Sequence, residues 1–208
     1  MNHNEIRNEI VELAASLFQR GYSVGSAGNI SVRVPGGFLT TPTNSSLGRL
    51  EAERLSLVDE DWNLVAGDAP TKEVFMHRAV YEARPQTQAI VHLHSTYVTA
   101  LSCLPRTGEQ EGPVIPAYTP YFVMRAGRDV PVVPYFRPGT ADMVPQIKEA
   151  ARRSAAIVLA NHGSLVAASS LVAAVNNAEE MEESAKVAYL LHGRGAEPLT
   201  QQQVAELG

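Results

Sequence analysis

Short segments with strand periodicity alternate irregularly with segments of helical periodicity along this chain, and this pattern limits the folds that it can adopt. Residues 30–41, ISVRVPGGFLTT, predict two short strands joined by a Pro-Gly-Gly turn, and therefore a hairpin. Apolar residues at helical spacing predict a helix over residues 6–18, which Gly21 ends, and a long final helix from Leu171. Residues 113–138, rich in Pro and Tyr, predict irregular structure with short strands. We therefore expect an α/β fold with a mixed, mainly antiparallel central sheet sandwiched by helices in three layers, and not a doubly wound parallel sheet.

The length and composition favour one folded unit. At roughly 150 residues per domain, a chain of 208 residues predicts a single domain over residues 1–208. The hydrophobic fraction of 45% excludes intrinsic disorder, and the net charge of −5 argues against a nucleic-acid partner. The sequence has no run of about 18 apolar residues, so no membrane partner is expected, and the acids near the N-terminus do not fit a signal peptide. The single cysteine, Cys103, cannot form an internal disulfide, which favours a cytoplasmic location.

Two histidines on one predicted strand are candidate metal ligands. The segment QAIVHLH (88–94) predicts a strand in which His92 and His94 point to the same side. Alone, such a pair is a weak signal, and it is more often two half-buried polar residues than a metal site. A third candidate is His162, which follows the buried strand AAIVLA (155–160) and precedes a glycine, although a turn histidine satisfied by the backbone has the same pattern. Three histidines that leave one coordination position open are typical of a catalytic zinc-type site.

The remaining histidines and the glycine pattern indicate no further site. His3, His77 and His192 lack the ligand spacing and are expected at the surface or on helix faces. The chain contains neither the G-x-G-x-x-G dinucleotide pattern nor the P-loop pattern.

A glutamate near the start of a predicted helix is the candidate proton-transfer residue. Thr71 is a suitable N-cap for a helix over residues 72–83, so Thr71, Lys72 and Glu73 place a hydroxyl, an ammonium and a carboxylate beside free backbone N–H groups. Helix N-termini bind phosphate, and a basic side chain adds attraction. A glutamate there could move protons on a phosphorylated substrate. The alternatives are an acid that merely favours the helix dipole and a solvated lysine.

Five short motifs in a fixed order carry a resemblance to a known family. They are GNIS (28–31), TPTN (41–44), PTKE (70–73), HLH (92–94) and NHG (161–163). With these motifs the chain resembles the class II aldolase/adducin family over nearly its whole length, which implies the three-layer fold of that family. The longer segments FQRGYSVGSAGNISVR, HLHSTYVTALSCL, TPYFVMRAG and LANHGSLV are similar to the branch of 3-oxo-tetronate 4-phosphate decarboxylases.

The resemblance implies roles for the residues at the motif positions. His92, His94 and His162 would hold one divalent metal ion per subunit, usually zinc. Glu73 would transfer protons and would also approach the metal when no substrate is bound. Tyr121, in TPYFVMR, matches a tyrosine from a neighbouring subunit, because the family usually assembles as a homotetramer with interfacial active sites. The residues implied to line the substrate phosphate are Asn29, Thr43, Asn44, Thr71 and Lys72.

The resemblance implies a metal-dependent carboxy-lyase that converts a small phosphorylated sugar acid, 3-oxo-tetronate 4-phosphate, to dihydroxyacetone phosphate and carbon dioxide. Decarboxylation leaves an enediolate, which a divalent metal stabilises. Aldol cleavage of a sugar phosphate such as L-fuculose 1-phosphate passes through the same enediolate, and a thio-sugar phosphate dehydratase shares the fold. The aldolases commonly have serines where this chain has Thr71 and Lys72, and their C-terminal tail has no clear match here. Three metal ligands and Glu73 favour an enzyme over the remaining alternative, an adducin-like assembly module.

Overall fold

The computed structural model describes residues 3–104 and 113–207. The helices are α1 (His3–Gln19), α2 (Val74–Ala83), α3 (Thr96–Ser102), α4 (Pro120–Ala126), α5 (Val144–Arg153), α6 (Leu171–Leu191) and α7 (Gln201–Ala205). The strands are β1 (Asn29–Val34), β2 (Gly37–Thr40), β3 (Ser56–Val58), β4 (Leu64–Ala66), β5 (Ala89–Leu93), β6 (Val132–Val133), β7 (Ala156–Leu159) and β8 (Gly163–Ala168). Among the described residues, no helix is long and apolar enough to cross a membrane.

The described strands form one eight-stranded sheet in the order β4-β3-β2-β1-β5-β8-β7-β6. Every neighbouring pair is antiparallel except β6 and β7, which run parallel. In the central pair of β1 and β5, Asn29 stands opposite His92 and Ser31 stands opposite Ile90. On its other side β5 pairs with β8, where His92 lies opposite Leu165. The predicted α/β fold with a mixed, mainly antiparallel sheet is confirmed.

Helices cover both faces of this sheet. On one face α1, α3, α4 and α6 form a large apolar cluster, into which alternate β5 residues such as Val91 point. On the other face α2 and α5 pack together, and Ile90 points into that second cluster. Because side chains alternate along a strand, His92 lies on the same face as Ile90, toward α2. The same alternation turns Asn29 and Ser31 of β1 toward α2.

The predicted hairpin and the two long helices are confirmed. β1 and β2 are joined by a two-residue turn, and Gly36 in this turn has a φ of 79°. The first helix ends before Gly21, which has a φ of 81°, and α6 begins at Leu171.

Two local predictions were wrong. Residues 113–138 contain the helix α4 as well as the short strand β6, because Thr119 accepts a hydrogen bond from the Phe122 N–H at 3.3 Å and Pro120 supplies a suitable first helical residue. Helix α2 begins at Val74, so Glu73 and not Thr71 occupies the N-cap position. The start is delayed because the backbone N–H of Thr71 donates to the carbonyl oxygen of Thr41 at 3.1 Å, which holds this stretch extended.

Candidate metal centre

Three histidine side chains converge at the end of the central strand. His92 lies in β5, His94 follows the end of β5, and His162 lies in the turn between β7 and β8. This turn reaches His94 because Ser164 pairs with Leu93 at the end of the β5–β8 ladder. The Nε2 atoms of His92 and His94 are 2.9 Å apart, and those of His94 and His162 are also 2.9 Å apart. The structure therefore brings together the three histidines that the sequence singles out.

A glycine beside His162 permits this convergence. A β-carbon at Gly163 would stand 2.1 Å from the carbonyl oxygen of Leu93 and 3.2 Å from the α-carbon of His94. Any other residue would push the β7–β8 turn away from the end of β5, where the other two histidines lie. Gly28 makes a similar approach on the other side, since its β-carbon would stand 2.9 Å from the carbonyl oxygen of His92.

Hydrogen bonding and burial prepare His92 to coordinate a cation. Its Nδ1 atom lies 2.7 Å from the carbonyl oxygen of Ser164, which can only accept, so Nδ1 carries the proton and Nε2 presents a lone pair. Burial lowers the pKa of His92 below its ordinary value. Burial and the neighbouring His162 likewise lower the pKa of His94. Both rings are therefore neutral near pH 7, which metal coordination requires.

The carboxylate of Glu73 completes the group. Its Oε2 atom lies 3.4 Å from Nε2 of His92, and its Oε1 atom lies 3.3 Å from Nε2 of His162. Burial alone would raise the pKa of Glu73, but its hydrogen bonds to His162 and Asn29 and the electrostatic attraction of the neighbouring imidazoles outweigh burial. The pKa of Glu73 is consequently lowered, and the carboxyl group is ionised at neutral pH.

These four donors fit a divalent metal ion. Their ligand atoms all lie within 4.8 Å of one another. Ligands at ~2.0–2.1 Å from a tetrahedral zinc ion would be about 3.3 Å apart, close to the 2.9 to 3.4 Å of four contacts within the group. Imidazole nitrogen and carboxylate oxygen are donors that zinc and similar divalent ions accept. The group of Glu73, His92, His94 and His162 could therefore hold a metal ion.

Behind Glu73, hydrogen-bonded side chains run between β1 and α2. The Nδ2 group of Asn29 donates to Oε2 of Glu73 at 2.8 Å, and Oδ1 of Asn29 lies 2.5 Å from Nε2 of His77. Nδ1 of His77 is 2.7 Å from Oγ of Ser31, and the Tyr81 hydroxyl donates to the Ser31 carbonyl oxygen at 3.1 Å. We call these five residues the polar chain. All except Glu73 are buried.

Sequence analysis missed His77 as part of this site. His77 lies on a helix face, as expected, but it is fully buried and hydrogen-bonded at both ring nitrogens. The available signal was its spacing, because a residue four positions after Glu73 lies on the same helix face. That spacing also explains the position of Tyr81, which follows His77 by four residues.

Four of the five residues implied to line a phosphate lie in two adjoining loops. The loop before α2 and the loop after β2 run side by side, joined by the hydrogen bond from Thr71 to Thr41. Thr43 and Asn44 line a cavity of about 440 Å³ in the second loop. Thr71 is buried, and its Oγ1 accepts from the backbone N–H of Glu73 at 3.3 Å, whereas Lys72 is exposed.

Two predicted site residues, Asn29 and Tyr121, lie outside these loops. The amide of Asn29 is engaged by Glu73 and His77, which leaves one of its amide hydrogens for another acceptor. Tyr121 is 63% exposed on α4, which packs with α6 on the sheet face opposite to α2. The described structure of one chain therefore does not bring Tyr121 to the histidines.

A second residue that sequence analysis missed is Glu182 on α6. Its buried carboxylate accepts hydrogen bonds from the Ser95 hydroxyl at 2.7 Å and from the backbone N–H groups of Tyr97 and Val98 at 2.8 and 2.9 Å. These groups belong to the first turn of α3, so Glu182 caps that helix from a distant part of the chain. Because α3 starts two residues after His94, the cap also anchors the segment that carries this histidine.

Comparison with known proteins places this geometry in context. The family described as "Class II Aldolase and Adducin N-terminal domain" matches residues 8–189. The 3-oxo-tetronate 4-phosphate decarboxylase of Pectobacterium atrosepticum is 50% identical over 202 residues, which are 97% of this chain and 91% of that protein. The L-fuculose phosphate aldolase of Escherichia coli K12 is 29% identical over 187 residues, which are 90% of this chain and 84% of the aldolase.

A solved structure shows the same arrangement of the backbone. The crystal structure of YgbL from Klebsiella pneumoniae, whose name leaves open an aldolase, an epimerase or a decarboxylase, superimposes with a TM-score of 0.94. The sequences are 49% identical, and the match covers 100% of both chains.

Proposed function

The chain belongs to the class II aldolase and adducin family, and from this premise we propose that it decarboxylates a 3-oxo-tetronate 4-phosphate to dihydroxyacetone phosphate and carbon dioxide. The observation that carries the proposal is the 50% identity, over 97% of this chain, to a protein of that name. The convergence of three histidines with Glu73 supports an active enzyme of this type. The aldolase relatives are more distant, at 29% identity.

We assign the metal site to His92, His94 and His162, with zinc as the ion. A divalent ion held there would act as a Lewis acid that stabilises negative charge on the substrate oxygens. Because Nδ1 of His92 donates to the Ser164 carbonyl oxygen, the imidazole is fixed in the tautomer that such an ion needs. The lowered pKa values of His92 and His94 keep these rings free of competing protons.

Glu73 is the proton-transferring residue in this proposal. Loss of carbon dioxide breaks the bond between C1 and C2 and leaves its electron pair conjugated with the C3 ketone. A proton must then reach C2 to give dihydroxyacetone phosphate. Glu73 lies beside the three histidines and is positioned by Asn29, so it is placed to deliver or relay that proton.

The phosphate of the substrate needs a separate binding region. Substrate and protein are both anionic, so binding depends on local positive charge and on N–H donors. Lys72 is an exposed cation next to Glu73, and Thr71, Thr43 and Asn44 lie in the two joined loops close by. We assign the substrate phosphate to these residues, with the remaining amide hydrogen of Asn29 as a further donor.

The proposal extends to the assembly and to its location. We expect a homotetramer in the cytoplasm with active sites between subunits, in which Tyr121 reaches the site of a neighbouring chain. Its exposure of 63% on α4 leaves the side chain available for such a contact. The molecular mass in solution, measured by light scattering, tests the assembly.

Turnover on a panel of phosphorylated tetronates and ketoses tests the function. We expect carbon dioxide and dihydroxyacetone phosphate in equal amounts from a 3-oxo-tetronate 4-phosphate, with no aldehyde product. Rapid aldehyde release from L-fuculose 1-phosphate, with no decarboxylation of any tetronate, would replace the proposal with an aldolase. A metal-free protein without turnover on the whole panel would instead favour an assembly module.

A further inference from the structure

We propose that His77 is a positioning residue that holds the Asn29 amide in the one orientation that presents its N–H to Glu73. The inference concerns side chains outside the metal site, and its catalytic consequence rests on the proposed role of Glu73. His77 itself is fully buried between α2 and β1 and cannot touch the substrate.

The placement follows from two periodicities. His77 and Tyr81 are spaced by four residues, which puts them on one face of α2, and Glu73 stands four residues earlier at the N-cap. Asn29 and Ser31 are spaced by two residues in β1, which puts them on the sheet face that α2 covers. The two rows interleave, so each member of the polar chain contacts the next across the boundary between helix and sheet.

The hydrogen-bond inventory then selects one arrangement. Because Nδ2 of Asn29 donates to Glu73, the atom of Asn29 that faces His77 is Oδ1, which can only accept. Nε2 of His77 must therefore carry the proton, and Nδ1 accepts from the Ser31 hydroxyl. The Tyr81 hydroxyl donates to the Ser31 carbonyl oxygen. Every buried polar atom in this series has a partner, and reversing the Asn29 amide would break the hydrogen bonds on both of its sides.

The charge of His77 agrees with this arrangement. Burial lowers the pKa of His77 to about 4, so the ring is neutral at physiological pH and one of its nitrogens is free to accept. Without the donor at Nε2, the Asn29 amide could turn and point Oδ1 at the ionised carboxylate of Glu73. That contact is repulsive, so Glu73 would leave its position between His92 and His162.

Two substitutions at position 77 separate positioning from simple packing. In His77→Gln the side-chain amide nitrogen can take the place of Nε2 and still donate to Asn29. In His77→Asn the shorter side chain can replace only the Nδ1 side, toward Ser31, and cannot reach Asn29. Both variants put a neutral amide in the same buried space, and a purely structural role would change their stability in urea without a matching difference in kcat.

The expected result is a difference in kcat between the two variants. His77→Asn should lose about 10- to 100-fold in kcat, which is the usual effect of losing an outer-shell partner. Its KM should also rise, because a turned Asn29 amide no longer offers its remaining hydrogen to the substrate phosphate. His77→Gln should recover most of that loss, and both should bind metal as the wild type does. Equal kcat values in the two variants would overturn the inference. Ile147→Val, a packing change in the apolar cluster under α2, should leave kcat unaltered.

Crystal structures of the two variants test positioning without any assay of turnover. The Asn29–Glu73 hydrogen bond, 2.8 Å in the wild type, should persist in His77→Gln and be lost in His77→Asn. This readout remains valid if the proposed decarboxylase reaction fails. Should either variant not fold, the ¹⁵N resonances of His77 in the wild type decide: a proton on Nε2 supports the inference, and a proton on Nδ1 overturns it.

Discussion

Gly163 faces the carbonyl group of Leu93 across a gap with no room for a methyl group, since a β-carbon there would lie 2.1 Å from the carbonyl oxygen. This contact lets the turn that carries His162 approach the end of β5, where His92 and His94 lie. The separation of the three imidazoles therefore depends on a residue that has no side chain.

Gly163→Ala should separate His162 from the other two histidines. We expect a loss of stability of about 1–3 kcal/mol, typical of overpacking, together with weakened metal binding in a metal titration. Gly48→Ala is a matched control, because its β-carbon would stand 2.3 Å from the ring of Phe18 on α1, away from the histidines. It should lose stability in urea but bind metal normally. Equal metal affinity in both variants would contradict this view of Gly163.

Removal of any one histidine ligand should abolish the metal site. His92→Ala, His94→Ala and His162→Ala should each lose bound metal and nearly all turnover, because two imidazoles hold zinc poorly. Elemental analysis of the purified variants measures the metal directly. His192→Ala removes an exposed histidine after α6 and should retain full metal content. Full metal content in one of these three variants would show that the substituted histidine is not a metal ligand.

Glu73→Gln should separate proton transfer from metal binding. The amide keeps the shape of the side chain but cannot exchange a proton as a carboxyl group does, so kcat should fall by about 10²- to 10⁴-fold. Metal should largely remain on the three histidines, as measured by elemental analysis. An unchanged kcat would reduce Glu73 to an acid that only favours the start of α2.

Lys72→Ala should weaken the recognition of the substrate phosphate. Loss of a charge-assisted contact worth roughly 1.5–3 kcal/mol corresponds to about 10- to 150-fold in kcat/KM. The loss should largely vanish with an unphosphorylated analogue of the substrate. Lys186→Ala, on α6 at the opposite face of the sheet, removes the same charge elsewhere and should change little. An equal loss with both substrates would place Lys72 outside the phosphate site.

His77 should make the fold sensitive to mild acid. Its pKa falls from 6.5 to about 4 on burial, so between these pH values the unfolded chain binds a proton that the folded chain does not. Stability therefore decreases as the pH falls through this window. At about pH 5 the contribution of His77 is about 2 kcal/mol. Urea denaturation near pH 7.5 and pH 5 should show a drop that is smaller in His77→Gln by this amount. Identical drops would contradict the assignment.

The parts of the fold that follow from local patterns were predictable. The hairpin of β1 and β2 and the first helix depend on periodicity and on a turn glycine within a few residues, and the final helix depends on periodicity. Helix α4 was not, because its start depends on Thr119 and Pro120 in a stretch otherwise rich in turn formers. The start of α2 was displaced by a backbone hydrogen bond to Thr41, thirty positions away in the chain.

The candidate site likewise has a part that the sequence predicts and a part that it does not. The spacing of His92 and His94 and the turn at His162 indicate metal ligands from the amino-acid sequence alone. The polar chain behind Glu73 could not be predicted from the sequence, because its hydrogen bonds depend on which strand packs under α2. The cap that Glu182 provides for α3 is equally non-local, since the two groups are separated by more than eighty residues.

Asn29 pairs with His92 across β1 and β5, so the site forms only when these two strands keep this register. Inserting or deleting one residue in β1 would turn its side chains to the opposite face. Ile30 would then lie beside Glu73, and Asn29 would enter the apolar layer under α1 and α6. We therefore expect changes of length among related sequences to be confined to the loops. Within β1 and β5 we expect relatives to differ by substitutions and not by insertions or deletions.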